Sequence, residues 1–231
     1  MSSIVKIFYI VFYQPLFNLL ILLTNYLPGH SFGLAIIVLT LIIRVILYPF
    51  QEKAIKSQIA LQKIQPKIKE VQEKHKHDKE KQAKALMEIY KKEKFNPFSG
   101  FLLLLVQFPV LIALYRLFLK GLNPENFTYL YSFVQKPETI NTIFLNIDLT
   151  KPSILLAVLV GISQYLQTKW MSVRSSSKDK QQKRQQSMNY FLSAFIVMIL
   201  LRVPSAVALY LLVSGLFAIL QQEIVKRRIK K

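Results

Sequence analysis

The sequence contains no cysteine, and it is poor in acidic residues. Without cysteine the chain can form neither a disulfide framework nor a cysteine-based metal site, and it has no thiol that could carry a lipid. Only 12 Asp and Glu residues stand against 31 Lys and Arg residues, so the formal net charge is +19. Basic residues therefore dominate every polar part of the chain.

Apolar residues make up 52% of the 231 residues, and they gather in long blocks. Several blocks reach about 20 residues, the length that spans the hydrocarbon core of a bilayer. This pattern excludes a soluble globular protein. The high apolar content also excludes a disordered basic tail, because such tails are poor in apolar residues. The sequence indicates an all-α integral membrane protein.

Five apolar blocks are long enough to be transmembrane helices. The last stretch, residues 188–220, would form a helix of ~50 Å, too long for one span. It is interrupted by Arg202, Pro204 and Ser205, and proline disfavours helix in the residue before it. We therefore divide this stretch into two spans. The predicted transmembrane helices are residues 32–50, 97–119, 152–171, 188–203 and 204–225.

The first 31 residues form a separate apolar segment. Gln14 and Pro15 interrupt it, and the leucines that follow recur at helical spacing. This pattern favours a helix that lies in the membrane interface, with a true span as the alternative. The segment is not expected to be a cleaved signal peptide, since no small-residue cleavage site is clear.

The connections between the spans differ sharply in charge. Residues 51–96, 172–187 and 226–231 are rich in Lys and Arg, whereas residues 120–151 carry three Lys and three acidic residues. Basic connections face the cytoplasm. We therefore expect a multi-pass protein of the bacterial plasma membrane with a cytoplasmic C-terminus and an extracytoplasmic loop at residues 120–151.

The basic segment 51–96 has two apolar stripes at helical spacing, separated by the polar run His75–Asp78. It predicts a cytoplasmic helical hairpin, and Pro66 is expected to kink the first arm. Its lysines and those of the tail are candidate contacts with client proteins, anionic lipids or the ribosome, without sequence-specific binding of nucleic acid. These candidates are Lys53, Lys63, Lys67, Lys84, Lys226, Arg227 and Arg228.

Arg44 is the most informative polar residue. It lies ~9 Å from the cytoplasmic end of the first predicted span, where a charge is disfavoured by about 2.5–3.5 kcal/mol. No acidic residue occurs within the spans except Glu223, at the cytoplasmic edge of the last. Arg44 is expected either to snorkel to the interface or to face a hydrated cavity.

Other polar residues fall in the cytoplasmic halves of the same spans, whereas the outer halves are apolar. Together with Arg44 they predict a hydrophilic groove in the inner leaflet that opens to the cytoplasm. The candidate groove residues are Arg44, Gln107, Ser163, Gln164, Gln167, Ser193 and Ser214.

Such a groove suits transient capture of a polar or acidic segment of a nascent membrane protein. The apolar part of the client would then pass into lipid, and its burial would supply the driving force. The alternative is a small-solute transporter or channel, although the spans contain, apart from Glu223 at the edge of the last, none of the acidic or His residues that couple such transport. All three His lie outside the spans, so we predict no enzymatic activity, catalytic residue, cofactor or metal site.

Three sequence blocks together resemble the YidC-type membrane protein insertases. They are FGLAIIVLTLIIRVILYPF, the hairpin with IQPKIKEVQEK, and FNPFSGFLLLLVQFPVLIALYRLF. The resemblance extends to the third and fifth spans and covers the chain from about Gln14. In the fifth span the sequence departs from the family pattern, with Leu211 where an aromatic residue is usual and Gly215 where Asn is usual.

The resemblance implies five core helices around an inner-leaflet groove, a mobile cytoplasmic hairpin, and an N-terminal helix on the outer surface. It also implies insertion and chaperoning of nascent membrane proteins, alone or with the Sec translocon. Arg44 matches the groove arginine of the family, and Gln107 matches its second-span glutamine. Ser163 and Gln164 fall where polar groove residues of the third span are expected.

Overall fold

The computed structural model describes residues 3–93, 95–96, 99–120, 122–171 and 180–230. The predicted start of the second span at Pro97 and half of the basic loop, residues 172–179, lie outside the described residues. The helices are α1 (Ser3–Phe8), α2 (Gln14–Tyr26), α3 (Phe32–Ile46), α4 (Tyr48–Lys74), α5 (Lys79–Lys92), α6 (Ser99–Lys120), α7 (Ile154–Met171), α8 (Lys180–Leu200) and α9 (Ser205–Lys230). Two short strands, β1 (Ile143–Phe144) and β2 (Ile147–Asp148), pair antiparallel.

The chain divides into two compact units, which we describe separately. The first unit comprises Met1–Ile46 and Phe108–Gln221, and the second comprises Leu47–Gln107 and Gln222–Lys231. The candidate groove residues belong to the first unit except Gln107. The lysine-rich hairpin belongs to the second.

The N-terminal segment is helical from Ser3 to Tyr26, with a π-helical turn at Tyr9–Tyr13 between α1 and α2. The backbone N–H of Gln14 donates to the carbonyl of Tyr9, five residues earlier. Pro15 follows directly. Because a proline ring clashes with the carbonyl four residues before it, the wider turn lets the helix pass Pro15 without a break.

By length and apolarity, two helical stretches among the described residues are able to cross a membrane, Val5–Tyr26 and Ser205–Ile229. Phe32–Ile46 and Tyr48–Lys74 pass the same test when they are taken together. Shorter apolar helices cover Gln107–Leu119 and Ile154–Lys169. The architecture is therefore that of a helical membrane protein.

The first core helix ends four residues before the predicted boundary at Phe50. The structure ends α3 at Ile46, and α4 begins at Tyr48 with Pro49 in its first turn. A proline is well placed in the first turn of a helix, where its missing N–H has no helical partner to lose. Pro49 therefore belongs to the first turn of α4 and not to α3.

In the first unit, residues 122–151 form a folded connection, which we call the long connection. It contains a 3₁₀ helix, Pro124–Tyr129, and the β1–β2 hairpin. Leu145 and Asn146, between the strands, both have positive φ, as a two-residue turn that matches strand twist requires. A Cβ on Gly33 of α3 would overlap the ring of Phe144, so only glycine allows this hairpin to sit against α3.

The long connection contacts helices at both of its ends. Asn18 of α2 donates to the carbonyl of Tyr129 (3.0 Å) and accepts from the N–H of Tyr131 (2.7 Å). At the other end, the N–H groups of Ser205 and Ala206 donate to carbonyls of Lys151 and Leu149, respectively. These acceptors satisfy N–H groups at the start of α9 that have no partner within the helix.

In the second unit, α4 and α5 pack against each other and residues 75–78 connect them. Asp78 caps α5 by accepting from the N–H of Lys81 at 3.0 Å. This hydrogen bond holds the pKa of Asp78 below its usual value. Lys67 of α4 pairs with Glu93 at the end of α5, and the amide of Gln82 donates to the carbonyl of Gln72.

Candidate functional site

Arg44 lies at the border of the buried face of α3. It continues a line of residues spaced four apart, in which Ile36 is fully buried and Thr40 is nearly so. The neighbouring residues Val45 and Ile46 are strongly exposed and apolar. In a membrane an exposed apolar face meets lipid. Arg44 itself is half-buried, at the border between the buried residues and this exposed face.

One residue of another helix, Tyr210 of α9, influences Arg44 electrostatically. The phenol of Tyr210 is close enough to interact electrostatically with the Arg44 charge, and its side chain is almost fully buried. Ser214 follows one helical turn later on the same face of α9 and is 1% exposed. The sequence predicted that Arg44 and Ser214 belong to the groove. It did not predict that Tyr210, one turn before Ser214, influences Arg44.

Ser214 carries a buried hydroxyl that has no hydrogen-bond partner among the described residues. Burying a hydroxyl without a partner costs about 1–3 kcal/mol on mutational scales. Such an atom is suited to hydrogen-bond a water molecule or a polar group that enters from outside the chain. Ser214 therefore adds an available hydrogen-bonding group to the face of α9 that carries Tyr210.

Ser163 of α7 lies directly against α9. Its hydroxyl donates to the carbonyl of Val160 at 2.8 Å, and the side chain is 3% exposed. A Cβ on Gly215 would lie 3.0 Å from this oxygen. The glycine that departs from the family pattern is thus the residue that lets α7 and α9 approach this closely.

Gln164 and Gln167 follow Ser163 along α7 and are half-buried, as is Ser193 of α8. Helices α7 and α8 pack together, with the rings of Tyr165 and Tyr190 stacked at 5.7 Å. The structure thus places Ser163 against α9. Gln164 and Gln167 lie on the same helix, α7, which also packs against α8. Gln107, in the second unit, is likewise half-buried.

The outer faces of α7 and α8 are apolar and exposed. Ile154 is 74% exposed and Phe191 is 69% exposed. In water such a surface would cause aggregation. The polar side chains Ser163 and Ser214 are instead buried inside the unit. This distribution, apolar outside and polar inside, is the one that a lipid solvent favours.

The predicted contact lysines and arginines lie on the second unit. Lys53, Lys63 and Lys84 are exposed, and Lys84 pairs with Glu80 at 2.7 Å. In the tail, Arg227 pairs with Glu223 at 2.7 Å, Lys226 is half-buried and Arg228 is exposed. Within the part of the chain that the structure describes, no cluster of three or more His, Asp or Glu side chains is arranged to hold a metal ion.

Sequence reasoning did not assign two residues of this site. Tyr210 was visible only as an aromatic residue in an apolar span, and the four-residue spacing from Tyr210 to Ser214 was the available signal. Gly215 was noted as a departure without a structural role. Its role depends on Ser163, 52 residues earlier in the chain, and no local pattern reports such a contact.

Comparison with known proteins gives one consistent family. A family model described as 60Kd inner membrane protein matches residues 23–231. The membrane protein insertase YidC of Clostridium tetani (strain Massachusetts / E88) is 33% identical over 208 residues, which are 89% of this chain and 86% of that protein. The YidC insertase of Fusobacterium nucleatum subsp. nucleatum is 31% identical over 198 residues, covering 86% of this chain and 87% of that protein.

Longer relatives match over the same region. The YidC insertase of Pasteurella multocida (strain Pm70) is 33% identical over 218 residues, which are 94% of this chain but 37% of that protein. The chain therefore spans most of the length of the shorter relatives and just over a third of this longer one.

Proposed function

The chain belongs to the family of inner membrane proteins that includes the YidC membrane protein insertases, and from this we propose how its own residues insert a client. It is an integral membrane protein that acts as a membrane protein insertase. Its clients are nascent membrane proteins. The proposal concerns the groove, the order of events and the partners.

The observation that carries the proposal is the position of Arg44 at the border of the buried face of α3. A cation on the lipid-covered side of α3 would snorkel to the headgroups. Arg44 is instead half-buried, follows the buried residues Ile36 and Thr40 at four-residue spacing, and lies within electrostatic range of Tyr210 of α9. We infer that Arg44 lies at a hydrated groove, where it attracts the polar or acidic segment of a client.

The groove holds the client weakly through hydrogen bonds as well as charge. Ser214 offers a buried hydroxyl without a partner among the described residues. Gln164, Gln167 and Ser193 add half-buried polar groups on α7 and α8, and Gln107 serves as the groove glutamine of α6. Polar groups of this kind replace part of the water around a client tail, but they bind the tail weakly enough to release it.

Release follows when the apolar part of the client slides from the groove into lipid. Burial of about 20 apolar residues supplies a large driving force at roughly 25 cal/mol per Å². Insertion therefore needs no nucleotide. The exposed apolar faces of α7 and α8 provide a surface along which such a segment can meet lipid.

We propose five core spans formed by α3, α6, α7, α8 and α9, with the N-terminal helix in the outer interface. The basic connections and the C-terminus lie in the cytoplasm, in keeping with the positive-inside rule. The protein works alone or with the Sec translocon, and its basic C-terminal tail contacts the ribosome. The half-membrane arrangement of polar groups suits insertion better than passage of a solute.

The test is reconstitution of the purified protein in liposomes with a small single-span client that has an acidic tail. Protease protection of the client tail measures insertion. We expect Arg44→Ala to reduce protection at least tenfold and Arg44→Lys to retain part of it. Arg202→Ala is the matched control, because it removes the same charge from an exposed residue of the same unit.

Full protection with Arg44→Ala would show that Arg44 acts only as a membrane-anchoring residue and would overturn the groove mechanism. An equal loss with Arg202→Ala would assign the effect to total charge. The insertase function itself is tested separately, by comparing the wild-type protein with empty liposomes.

A further inference from the structure

One face of α4 carries a regular line of lysines. Lys53, Lys56, Lys63, Lys67 and Lys74 follow one another at intervals of 3, 7, 4 and 7 residues. At about 100° per residue, these intervals keep all five within an arc of about 80° over a length of ~32 Å. We call these five residues the lysine stripe.

The structure confirms that the lysine stripe is open to solvent. All five of its side chains are exposed, whereas Ile64 and Ile68 of the same helix are buried. The stripe therefore borders the buried residues of α4 while its own side chains face solvent. The sixth lysine of the helix, Lys69, is off the stripe and only half-exposed.

The stripe is only partly neutralised by the protein itself. Lys56 pairs with Glu52 at 2.7 Å and Lys67 pairs with Glu93. Among the described residues, Lys53, Lys63 and Lys74 have no ion pair. Three lysines without an ion pair, at intervals of about 15 Å, are complementary to a partner whose negative charges recur over a similar distance.

We propose that the lysine stripe docks α4 on the anionic headgroups of the membrane in which the protein is embedded. Each lysine near an anionic lipid surface contributes about 1 kcal/mol, so three free lysines shift the docking equilibrium by roughly 100-fold. Because the hairpin is tethered to a membrane protein, it meets this surface at high local concentration. The inference is independent of the groove and of Arg44.

The composition of the stripe favours lipid over the phosphates of RNA. Residues 51–74 contain no arginine and no aromatic residue. Specific recognition of RNA relies on stacking by aromatic side chains and on arginine. Lysine is a mobile point charge, which suits attraction to a fluid surface of many small anions.

The absence of cysteine makes a direct test possible in the full-length protein. Ala60 lies on the stripe between Lys56 and Lys63 and is half-exposed. Ala60→Cys would be the sole thiol, and it can carry an environment-sensitive fluorophore. The protein is placed in nanodiscs of phosphatidylcholine alone or with phosphatidylglycerol, and a spin label on the lipid headgroups acts as the quencher.

We expect strong quenching only in the phosphatidylglycerol discs, with loss at 1 M salt, where charges are screened beyond about 3 Å. The triple variant Lys53→Gln, Lys63→Gln, Lys74→Gln is expected to abolish it. The matched control is Lys79→Gln, Lys91→Gln, Lys92→Gln, which removes the same charge from exposed residues of α5 and should leave quenching unchanged.

Equal quenching in neutral and anionic discs would overturn the proposal. Equal loss in both triple variants would also overturn it, because total charge and not the stripe would then decide. A fluorescence change on adding a ribosomal RNA hairpin, with no dependence on phosphatidylglycerol, would assign the stripe to RNA instead. Quenching of the wild-type protein that persists at 1 M salt would contradict an electrostatic contact without the need for any variant.

Discussion

At the scale of single residues, the contact between Ser163 and Gly215 shows how the absence of a side chain shapes the site. Gly215 lets α7 approach until the Ser163 hydroxyl lies 3.0 Å from the position that a Cβ would take. The same hydroxyl is committed to the carbonyl of Val160. A larger residue at 215 must therefore displace an oxygen that already has a partner.

We predict that Gly215→Ala destabilises the protein by about 1 kcal/mol. Alanine gains about 1 kcal/mol over glycine in a helix, but moving Ser163 breaks a buried hydrogen bond worth about 1–3 kcal/mol. In a Ser163→Ala background the oxygen is gone, so the sign should reverse and Gly215→Ala should stabilise. Thermal unfolding of the four proteins in detergent measures this cycle; destabilisation in both backgrounds would contradict the explanation.

At the scale of helices and connections, the long connection acts as a brace across the first unit. It accepts hydrogen bonds from Gln14 and Asn18 of α2, packs Phe144 on Gly33 of α3, and satisfies the first N–H groups of α9. The consecutive helices α2 and α3 and the distant helix α9 are thus each held near their N-terminal ends by a single segment.

We predict that Asn18→Ala loosens this brace. Asn18 is 3% exposed and bonds both the carbonyl of Tyr129 and the N–H of Tyr131, so its loss should cost about 1–3 kcal/mol. Asn25→Ala is the control, since it removes one exposed bond, to the carbonyl of Gln135. Limited proteolysis of the long connection should accelerate in the first variant only. Equal rates in both would show that the brace does not depend on Asn18.

The hairpin makes a prediction about pH. The folded-state pKa of Asp78 is lowered, chiefly by the N–H of Lys81. Because the pKa is lower in the folded state, ionised Asp78 stabilises the hairpin fully above its unfolded pKa of about 3.9. This stabilisation is lost as the pH falls through the folded pKa. The protection of the amides in the first turn of α5, measured as their exchange rate relative to the intrinsic rate at each pH, should therefore fall below about pH 4.

Asp78→Asn provides the matched control for this prediction. Asparagine caps a helix about as well as aspartate, but its side chain does not titrate. In this variant, acid should therefore change the amide exchange of the first turn of α5 less than it does in the wild-type protein. An identical acid response in both proteins would assign the effect to other carboxylates, such as Glu93, whose pKa is also lowered, chiefly by its hydrogen bond to Lys67.

The sequence predicted the helical elements better than their contacts. Apolar blocks and the Pro204–Ser205 break placed α8 and α9, because these signals are local. The helix break at Leu47 between α3 and α4 was not apparent in the sequence, because the apolar run continues to Phe50. The fold of the long connection could not be predicted, since it depends on partners as far away as Asn18. The electrostatic interaction of Arg44 with Tyr210 likewise joins distant segments of the chain.

At the scale of the whole molecule, charge and apolar surface are separated along the sequence. Apolar side chains are exposed on α7 and α8, while the lysines concentrate on α4 and α5. Lipid solvates the apolar surface of α7 and α8, whereas water or anionic headgroups solvate the lysines of α4 and α5. Family membership and this distribution both identify an integral membrane protein.

We predict that the hairpin and the long connection lie on opposite sides of the membrane. Because the chain has no cysteine, Lys76→Cys and Phe133→Cys each give one thiol, and both residues are exposed. In intact cells a membrane-impermeant maleimide should label Phe133→Cys, and Lys76→Cys only after lysis. Labelling of both thiols in intact cells would contradict the proposed topology.

The brace also has a consequence for how the protein itself is made. Its contacts reach back 115 residues to Gln14 and forward 57 residues from Asp148 to Ser205. During synthesis, the first helices are therefore made before their hydrogen-bond partners in the long connection. The last helix is made after its acceptors. Assembly of the first unit is thus ordered in time from N-terminus to C-terminus, and it cannot be completed before the long connection has been synthesised.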